Sequence, residues 1–305
     1  MTRPPHRVTP PMREGVSASC VALPHGHWPL LVDFLAERLP AVTRAQWRQR
    51  MAQGRVLDEG GAPLPPDAPC RSGARVYYYR ELEAEPVIPF EEDILYQDAH
   101  LLVADKPHFL PVTPTGRYVQ QTLLTRLKRR TGIETLSPIH RIDRETAGLV
   151  LFSVRPQDRG AYQALFREQV VEKDYEAIAP LRPELPLPAV HRSRIEPDTQ
   201  FFRQREVPGE PNSETRIELI EGLGALARYR LRPLSGKTHQ LRVHLHALGR
   251  PIVGDLFYPE VVHGPQHVQD DFTRPLQLLA RRIAFADPVT GQPRSFESRR
   301  NLTIS

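Results

Sequence analysis

Cysteine is almost absent from this chain of 305 residues, with Cys20 and Cys70 the only two. Two cysteines so far apart build no Cys-x-x-Cys metal site, and in a cytosolic protein both stay reduced. No apolar run approaches the ~20 residues needed to span a bilayer. The N-terminal stretch "MTRPPHRVTPPMREG" lacks the apolar segment of a signal peptide. These absences lead to the expectation of a soluble, cytoplasmic protein with no membrane partner. Lysine is scarce as well. Of 41 basic residues only Lys106, Lys128, Lys173 and Lys237 are lysine. In so arginine-biased a chain, a lysine either fell at random or marks a place where a compact ammonium is needed.

What is present is ordinary globular material, 40% hydrophobic and 25% charged. The length allows one large domain or one of common size plus a small one. The formal charge of +5 suits a polyanionic partner without demanding one.

Residues 1–25 are rich in Pro and Arg, lack periodicity and read as a flexible arm. Beyond them Leu31, Phe34, Leu35 and Leu39 recur at helical spacing. Thr43 to Gln46 reads as a capping box that opens a second helix, with Trp47 and Met51 on one face and Arg44 and Arg48 on another. Gly54 is placed to end it. "RVL" and "ARVYYY" read as short strands. Two short helices with a basic face, then small strands, resemble the S4 RNA-binding module over residues 26–84, although "LDEGGA" replaces the turn usual there. A solvated basic helix face on a packing domain is the alternative.

"EAEPVIP" reads as a linker, and residues 85–305 as a second domain. There "VQQTLLTRLKRRTG" and "RPQDRGAYQALFREQVV" read as helices. "GLVLFSV" is a continuous apolar run of strand length, as in a strand buried on both faces, and "KDYEAIA" alternates like a strand. Residues 180–211, dense in proline, read as loops or edge structure. "SGKTHQLRVHLHALGRPIVG" opens with a turn and then supports a helix. Strands mixed with scattered helices give an α+β fold with a mixed, mostly antiparallel sheet, rather than a doubly wound one.

The stretch "HRIDRETAGLVLFSV" sets Asp143 between Arg141 and Arg144, directly before the apolar run. A cation beside a carboxylate favours its charged form, and a positioned carboxylate at the mouth of a rigid strand can act as a nucleophile. Taken alone, Arg-x-Asp-Arg fits a loop salt bridge equally well.

The stretch also resembles the His-Arg-Leu-Asp-x-x-Thr-Ser-Gly-Leu signature of the RluA family of pseudouridine synthases. "LVADKPHFLPVTP" resembles the Lys-Pro loop of that family, and "EKDYEAIA" its Lys-x-Tyr strand. "PLSGKTHQLRVHLHALGRPIVGD" resembles its Gly-Arg-Thr-His-Gln segment followed by Gly-Asp, and "LQLLARRIAFADPVTG" its closing elements. The blocks occur in the family's order over about residues 88–298. The resemblance implies an enzyme that isomerises uridine in ribosomal or transfer RNA, ribosomal RNA being favoured, without cofactor or metal; a monomer is expected. It places the essential aspartate at Asp143, the pocket tyrosine at Tyr175 and the aspartate's ionic partner at Arg242. It makes His140, Arg141, Thr146, Lys106, Lys173, Lys237 and His239 the residues that meet RNA or the flipped nucleotide, with Arg44 and Arg48 adding a basic face on the N-terminal module. Ala147 and Ile142 depart mildly from the signature, and His108-Phe109 replaces the small residues of the Lys-Pro loop. His239, His244 and His246 invite a zinc reading, but they occupy a block in which the family binds no metal. A catalytically silent RNA-binding protein is the remaining alternative.

Overall fold

The computed structural model describes residues 10–80, 85–199, 203–262 and 271–303. The chain divides into two compact units. The first runs to Pro86 and also takes Thr115–Gln120 and Thr125–Glu134; the second holds the rest. The N-terminal unit is therefore not one continuous segment ending at residue 84, because two pieces of later sequence belong to it.

The first unit has β1 (Ser19–Ala22), α1 (Leu31–Arg38), α2 (Arg44–Ala52), β2 (Val56–Leu57) and β3 (Arg75–Tyr78), with the strands ordered β1-β3-β2. The helices form where the sequence patterns them. Leu31, Val32, Phe34 and Leu35 of α1 are buried against Trp47 and Met51 of α2, each fully buried apolar side chain contributing about 1.5–3 kcal/mol. Thr43 caps α2 with a complete capping box, its side chain accepting from Gln46 N and its backbone N–H donating to the Gln46 side chain. Gly54 follows that helix at φ 65, the left-handed conformation that ends helices. In "LDEGGA" the turn is held by Asp58, whose Oδ1 accepts from Gly60 N and Ala62 N at 2.9 and 2.8 Å.

The flexible arm expected over residues 1–25 is corrected for its later part, residues 1–9 lying outside the described residues. β1 pairs with β3 from Ser19↔Tyr78 to Ala22↔Arg75. Buried Lys128 donates to Ser17 Oγ at 2.8 Å. Strand pairing and a buried charge-assisted hydrogen bond order this stretch, a long-range outcome that local composition does not reveal.

The second unit is built on β4 (Asp93–Gln97), β5 (Leu101–Lys106), β6 (Ser137–Pro138), β7 (Ala147–Ser153), β8 (Glu172–Pro180), β9 (Val190–Pro197), β10 (Gln204–Val207), β11 (Ser213–Leu223), β12 (Leu226–Pro233), β13 (Leu278–Ala286) and β14 (Pro293–Glu297). Its helices are α4 (Arg159–Arg167) and α5 (Gln240–Ala247), while α3 (Leu123–Thr131) passes into the first unit. One sheet of 11 strands runs β10-β9-β11-β12-β8-β13-β7-β5-β4, with β14 beside β13 and β6 beside β7. Among the described strands only β13 and β7 pair in parallel. The fold is α+β with a mostly antiparallel sheet, as the mixed pattern of elements predicts. The proline-dense stretch contributes β9 and the edge strand β10, and buried Arg250 fastens its loop by donating to the carbonyls of Arg182, Leu185 and Pro186.

Ion pairs between neighbouring strands use several of the arginines. Glu176 receives both arms of Arg281, at 2.9 and 3.1 Å, and also Arg228 at 3.0 Å. Asp174 pairs with Arg232 and with Arg282. A planar five-donor fork can bridge neighbouring strands in this way, and an ammonium cannot.

Every residue of β7 is buried, so its seven-residue apolar run reports a strand covered on both faces. Its second residue, Gly148, pairs with Ala280 of β13 at φ 110. A Cβ there would lie 2.3 Å from Ala280 O and 2.7 Å from Ala280 N. Replacing Gly148 with alanine is expected to lower unfolding stability by about 3 kcal/mol or more, from steric overlap and an unfavourable backbone together. A urea midpoint equal to wild type would show that the strands close on each other with slack.

Candidate active site

The site forms where the turn before β7 meets the N-terminus of α5. The turn is closed by Thr146 N donating to Asp143 O at 3.2 Å. Behind it Lys106, the last residue of β5, is completely buried. Its ammonium donates to the carbonyls of Pro107, Leu110 and Arg144 at 3.0, 2.8 and 2.9 Å. The next carbonyl, that of Glu145, accepts from His108 Nδ1 at 2.7 Å. Two consecutive carbonyls directly after Asp143 are thus gripped by side chains of the Lys-Pro loop. Burial lowers the pKa of Lys106 to about 7, the charges of Glu145 and Asp143 opposing that fall. Burial also lowers His108 to about 4, so its ring is neutral at pH 7.

α5 arrives from the other side. His239, in the left-handed conformation at φ 54, precedes it, and Gln240 fixes the approach. The Gln240 amide accepts from Ser235 Oγ and Lys237 N, and donates to Glu214 O and Thr215 Oγ1. Arg242 lies one turn in and has no side-chain exposure. Its Nε and Nη2 donate to both oxygens of Asp255 at 2.8 and 2.6 Å, and its Nη1 donates to Asp143 Oδ2 at 3.3 Å. Phe257 and Tyr258 cover the guanidinium, their ring centroids 5.0 and 5.5 Å from it. Burial works against its charge, but the hydrogen bonds and charge of Asp255, with Asp143 adding, raise its pKa overall. Arg242 is therefore an interior residue of the site and not one on the outer face of α5. Asp143 itself keeps 26% of its side chain exposed, so one edge of the carboxylate is open.

Tyr175 lies on β8 in register with Ala280, the β13 residue that also pairs with Gly148. One row across the sheet therefore joins Tyr175 to the strand that follows Asp143. Burial raises the Tyr175 pKa, and the nearby negative charge of Asp143 raises it further. The phenol is protonated at neutral pH.

The structure brings Asp143, Arg242, Tyr175 and His239 together, with Thr146 in the supporting turn. Others expected to meet RNA are placed differently. Lys106 is sealed inside and acts on carbonyls. The Nε2 of His140 accepts from Leu151 N at 3.1 Å while its ring stacks on Phe166, so it braces β7; burial and Lys173 lower its pKa to about 3. Lys173 is half-buried and donates to Ser235 O at 3.3 Å. Arg141 and Lys237 are exposed. Arg44 pairs with Asp33 at 2.7 Å, and Arg48 is exposed on the same helix.

Of the three histidines in and beside α5, buried His244 is occupied by Ser193, Ser213 and Thr215 at 2.9–3.1 Å. It also lies near Glu206, which bonds His191 at 2.8 Å, and the side-chain atoms of these three residues fall within 4.8 Å of one another. His239 and His246 stand outside that group. Sequence reasoning missed Asp255. Its signal was the Gly254-Asp255 pair that ends a recognised block but carried no role.

The sequence and fold match known proteins. Residues 100–247 match the family described as RNA pseudouridylate synthase. The dual-specificity RNA pseudouridine synthase RluA of Haemophilus influenzae is 31% identical over 223 residues, covering 72% of this chain and 97% of that one. The ribosomal large subunit pseudouridine synthase C of Vibrio vulnificus is 30% identical over 207 residues, 68% of this chain and 65% of that one. Among solved structures, human RNA pseudouridylate synthase domain containing 4 aligns with a TM-score of 0.52 and 26% identity, over 68% of this chain and 87% of that one. The sequence and fold thus define an RNA pseudouridylate synthase. The chain belongs to the RluA family of these enzymes.

Lys106 supplies the test of the supporting turn. Lys106→Met leaves three carbonyls without a donor and is expected to lower unfolding stability by about 1–3 kcal/mol. The native pKa near 7 lies below the ordinary lysine value of 10.5. Between those two pH values the unfolded chain binds more protons than the native one, so the lysine's contribution to stability rises with pH across the window and is lost as pH falls through 7. The stability difference between wild type and Lys106→Met, measured by urea unfolding, should grow from pH 7 to pH 10. A flat difference would mean that this amine does not titrate in the fold.

Proposed function

We propose that this enzyme converts specific uridines in structured RNA, ribosomal RNA in preference to transfer RNA, to pseudouridine, with Asp143 as nucleophile and no cofactor. The supporting observation is Asp143 Oδ2 set 3.3 Å from the sealed guanidinium of Arg242, with one edge of the carboxylate open. The reaction is an isomerisation. The bond from uracil N1 to ribose C1′ breaks, the base turns, C5 bonds to C1′, the C5 proton is released and N1 takes up a proton in its place. Nothing is added or removed overall, so no redox partner is required. The target must leave its stack, at a cost of a few kcal/mol. Tyr175, held as a neutral phenol, offers a ring on which the uracil can lie, worth about 1–3 kcal/mol. Its hydroxyl can relay the C5 proton only by giving up its own. The ways Asp143 can act are attack on uracil C6, attack on C1′, and removal of a ribose proton.

The basic helix α2 and the S4-like resemblance of the N-terminal unit support a role for that unit in holding RNA. Exposed Arg141 and Lys237 are cations suited to backbone phosphate. A relative named for the large ribosomal subunit supports the choice of ribosomal RNA.

Mapping pseudouridine in total RNA from cells with and without the gene identifies the target, and loss of specific ribosomal sites is the expected result. Asp143→Asn should lower the rate of modification by about a thousandfold or more. A variant as fast as wild type would remove the carboxylate from the mechanism. For the N-terminal unit, Arg48→Ala should reduce the salt dependence of RNA binding by about one phosphate contact. Arg44→Ala should reduce it less, because Asp33 already engages that side chain. Unchanged salt slopes in both variants would reduce α2 to a packing element.

A further inference from the structure

His239 is tied into the site by a chain of hydrogen bonds that determines which of its nitrogens carries the proton. The side chain is 10% exposed and its ring stacks on Phe257, with centroids 5.7 Å apart and planes 23° apart. Nδ1 lies 3.2 Å from the Tyr258 hydroxyl. Nε2 lies 4.0 Å from Asp143 Oδ2, and among the described residues no hydrogen bond reaches it.

The Tyr258 hydroxyl has one proton to give. Gln204 N donates to that oxygen at 2.8 Å, and the oxygen donates to Gln204 O at 3.1 Å. Both groups of Gln204 need this partner. Asp198 N donates to Arg203 O across the hairpin. The next pair, Gln204 with Pro197, is therefore a non-hydrogen-bonded one, and the N–H and C=O of Gln204 point off the edge of the sheet. With the hydroxyl proton committed to Gln204 O, the Tyr258 oxygen can only accept from His239. Nδ1 is then the protonated nitrogen. Burial lowers the pKa of His239, which keeps the ring neutral at pH 7. The lone pair sits on Nε2 and faces a carboxylate oxygen.

Two acceptors turned toward each other across 4.0 Å leave a place that only a donor fills. We infer that His239 Nε2 and Asp143 Oδ2 form a two-acceptor notch that takes a hydrogen-bond donor from the target nucleoside. The inference rests on the reading of Asp143 as the residue that meets the uridine. Uridine has two donors that fit, the ribose 2′-hydroxyl and the uracil N3–H. A nucleoside without the donor leaves half-buried acceptors unpaired, a penalty that sites use for selection. If the donor is N3–H, the notch separates uracil from cytosine, whose N3 carries no proton.

The first test needs no RNA. Side-chain nitrogen NMR of the full-length protein at pH 7 should show His239 protonated on Nδ1 and bare on Nε2, assigned by the signals lost in His239→Gln. A proton on Nε2, or a doubly protonated ring, would overturn the inference. The second uses total RNA from cells lacking the gene. His239→Phe keeps a ring against Phe257 but has no acceptor, and should form pseudouridine about tenfold more slowly. His239→Gln can place an oxygen where Nε2 was and should recover most of the rate. His239→Phe as fast as wild type, beside an inactive Asp143→Asn, would sink the notch alone, whereas an active Asp143→Asn sinks the reading of Asp143. Finally, short RNAs carry the mapped uridine as its 2′-deoxy or N3-methyl form. In the form that lacks the bound donor, wild type and His239→Phe should be equally slow. A tenfold gap that persists with both would again overturn the notch.

Discussion

A guanidinium with no water around it must be neutralised where it stands, and the site is built on that requirement. Arg242 is sealed beneath Phe257 and Tyr258, and Asp255 grips two of its nitrogens. Losing one partner of such a buried pair costs about 3–5 kcal/mol, so the geometry of Arg242 is rigid. With Nε and Nη2 committed to Asp255, Nη1 is left to point at Asp143. The carboxylate proposed to attack is thus aimed by a cation that is itself aimed. A buried charge that would be an expense elsewhere becomes an alignment device here.

The same economy runs through the turn that carries Asp143. Its backbone is held from behind by side chains of the Lys-Pro loop, Lys106 on Arg144 O and His108 on Glu145 O. Three carbonyls converging on one ammonium match the three donors of lysine, a geometry that arginine's planar fork does not reproduce. Between neighbouring strands of the sheet the preference reverses, because bridging two strands with one side chain favours the fork. The unequal use of the two basic residues thus follows from where each kind of hydrogen bond is needed.

Much of the scaffold was legible in the sequence. The capping box at Thr43, the helical spacing of Leu31 to Leu35 and the uninterrupted apolar run of β7 report local energetics, and each element formed where its pattern lay. Asp143, Tyr175 and Arg242 were legible through their motifs. The order of residues 10–25 was not, because a strand that pairs with β3 and a serine that accepts from Lys128 depend on partners far along the chain. The hydrogen-bond partners of Lys106 and His140 were not legible for a related reason. Both types commonly meet phosphate or base at a surface, and only the tertiary fold shows that Lys106 bonds carbonyl oxygens and His140 a backbone N–H.

By itself the sequence determined the fold class and the family, and it singled out the residues proposed to react, since these follow from residue type and short-range pattern. The tertiary structure alone decided which of those residues face one another, that Asp255 holds Arg242 and that a Tyr258 hydroxyl sets the proton on His239. Hydrogen bonds and charges at this site act between residues as many as 99 positions apart, as from Asp143 to Arg242. Their strength depends on distance and on the exclusion of water, and neither is written in the order of amino acids.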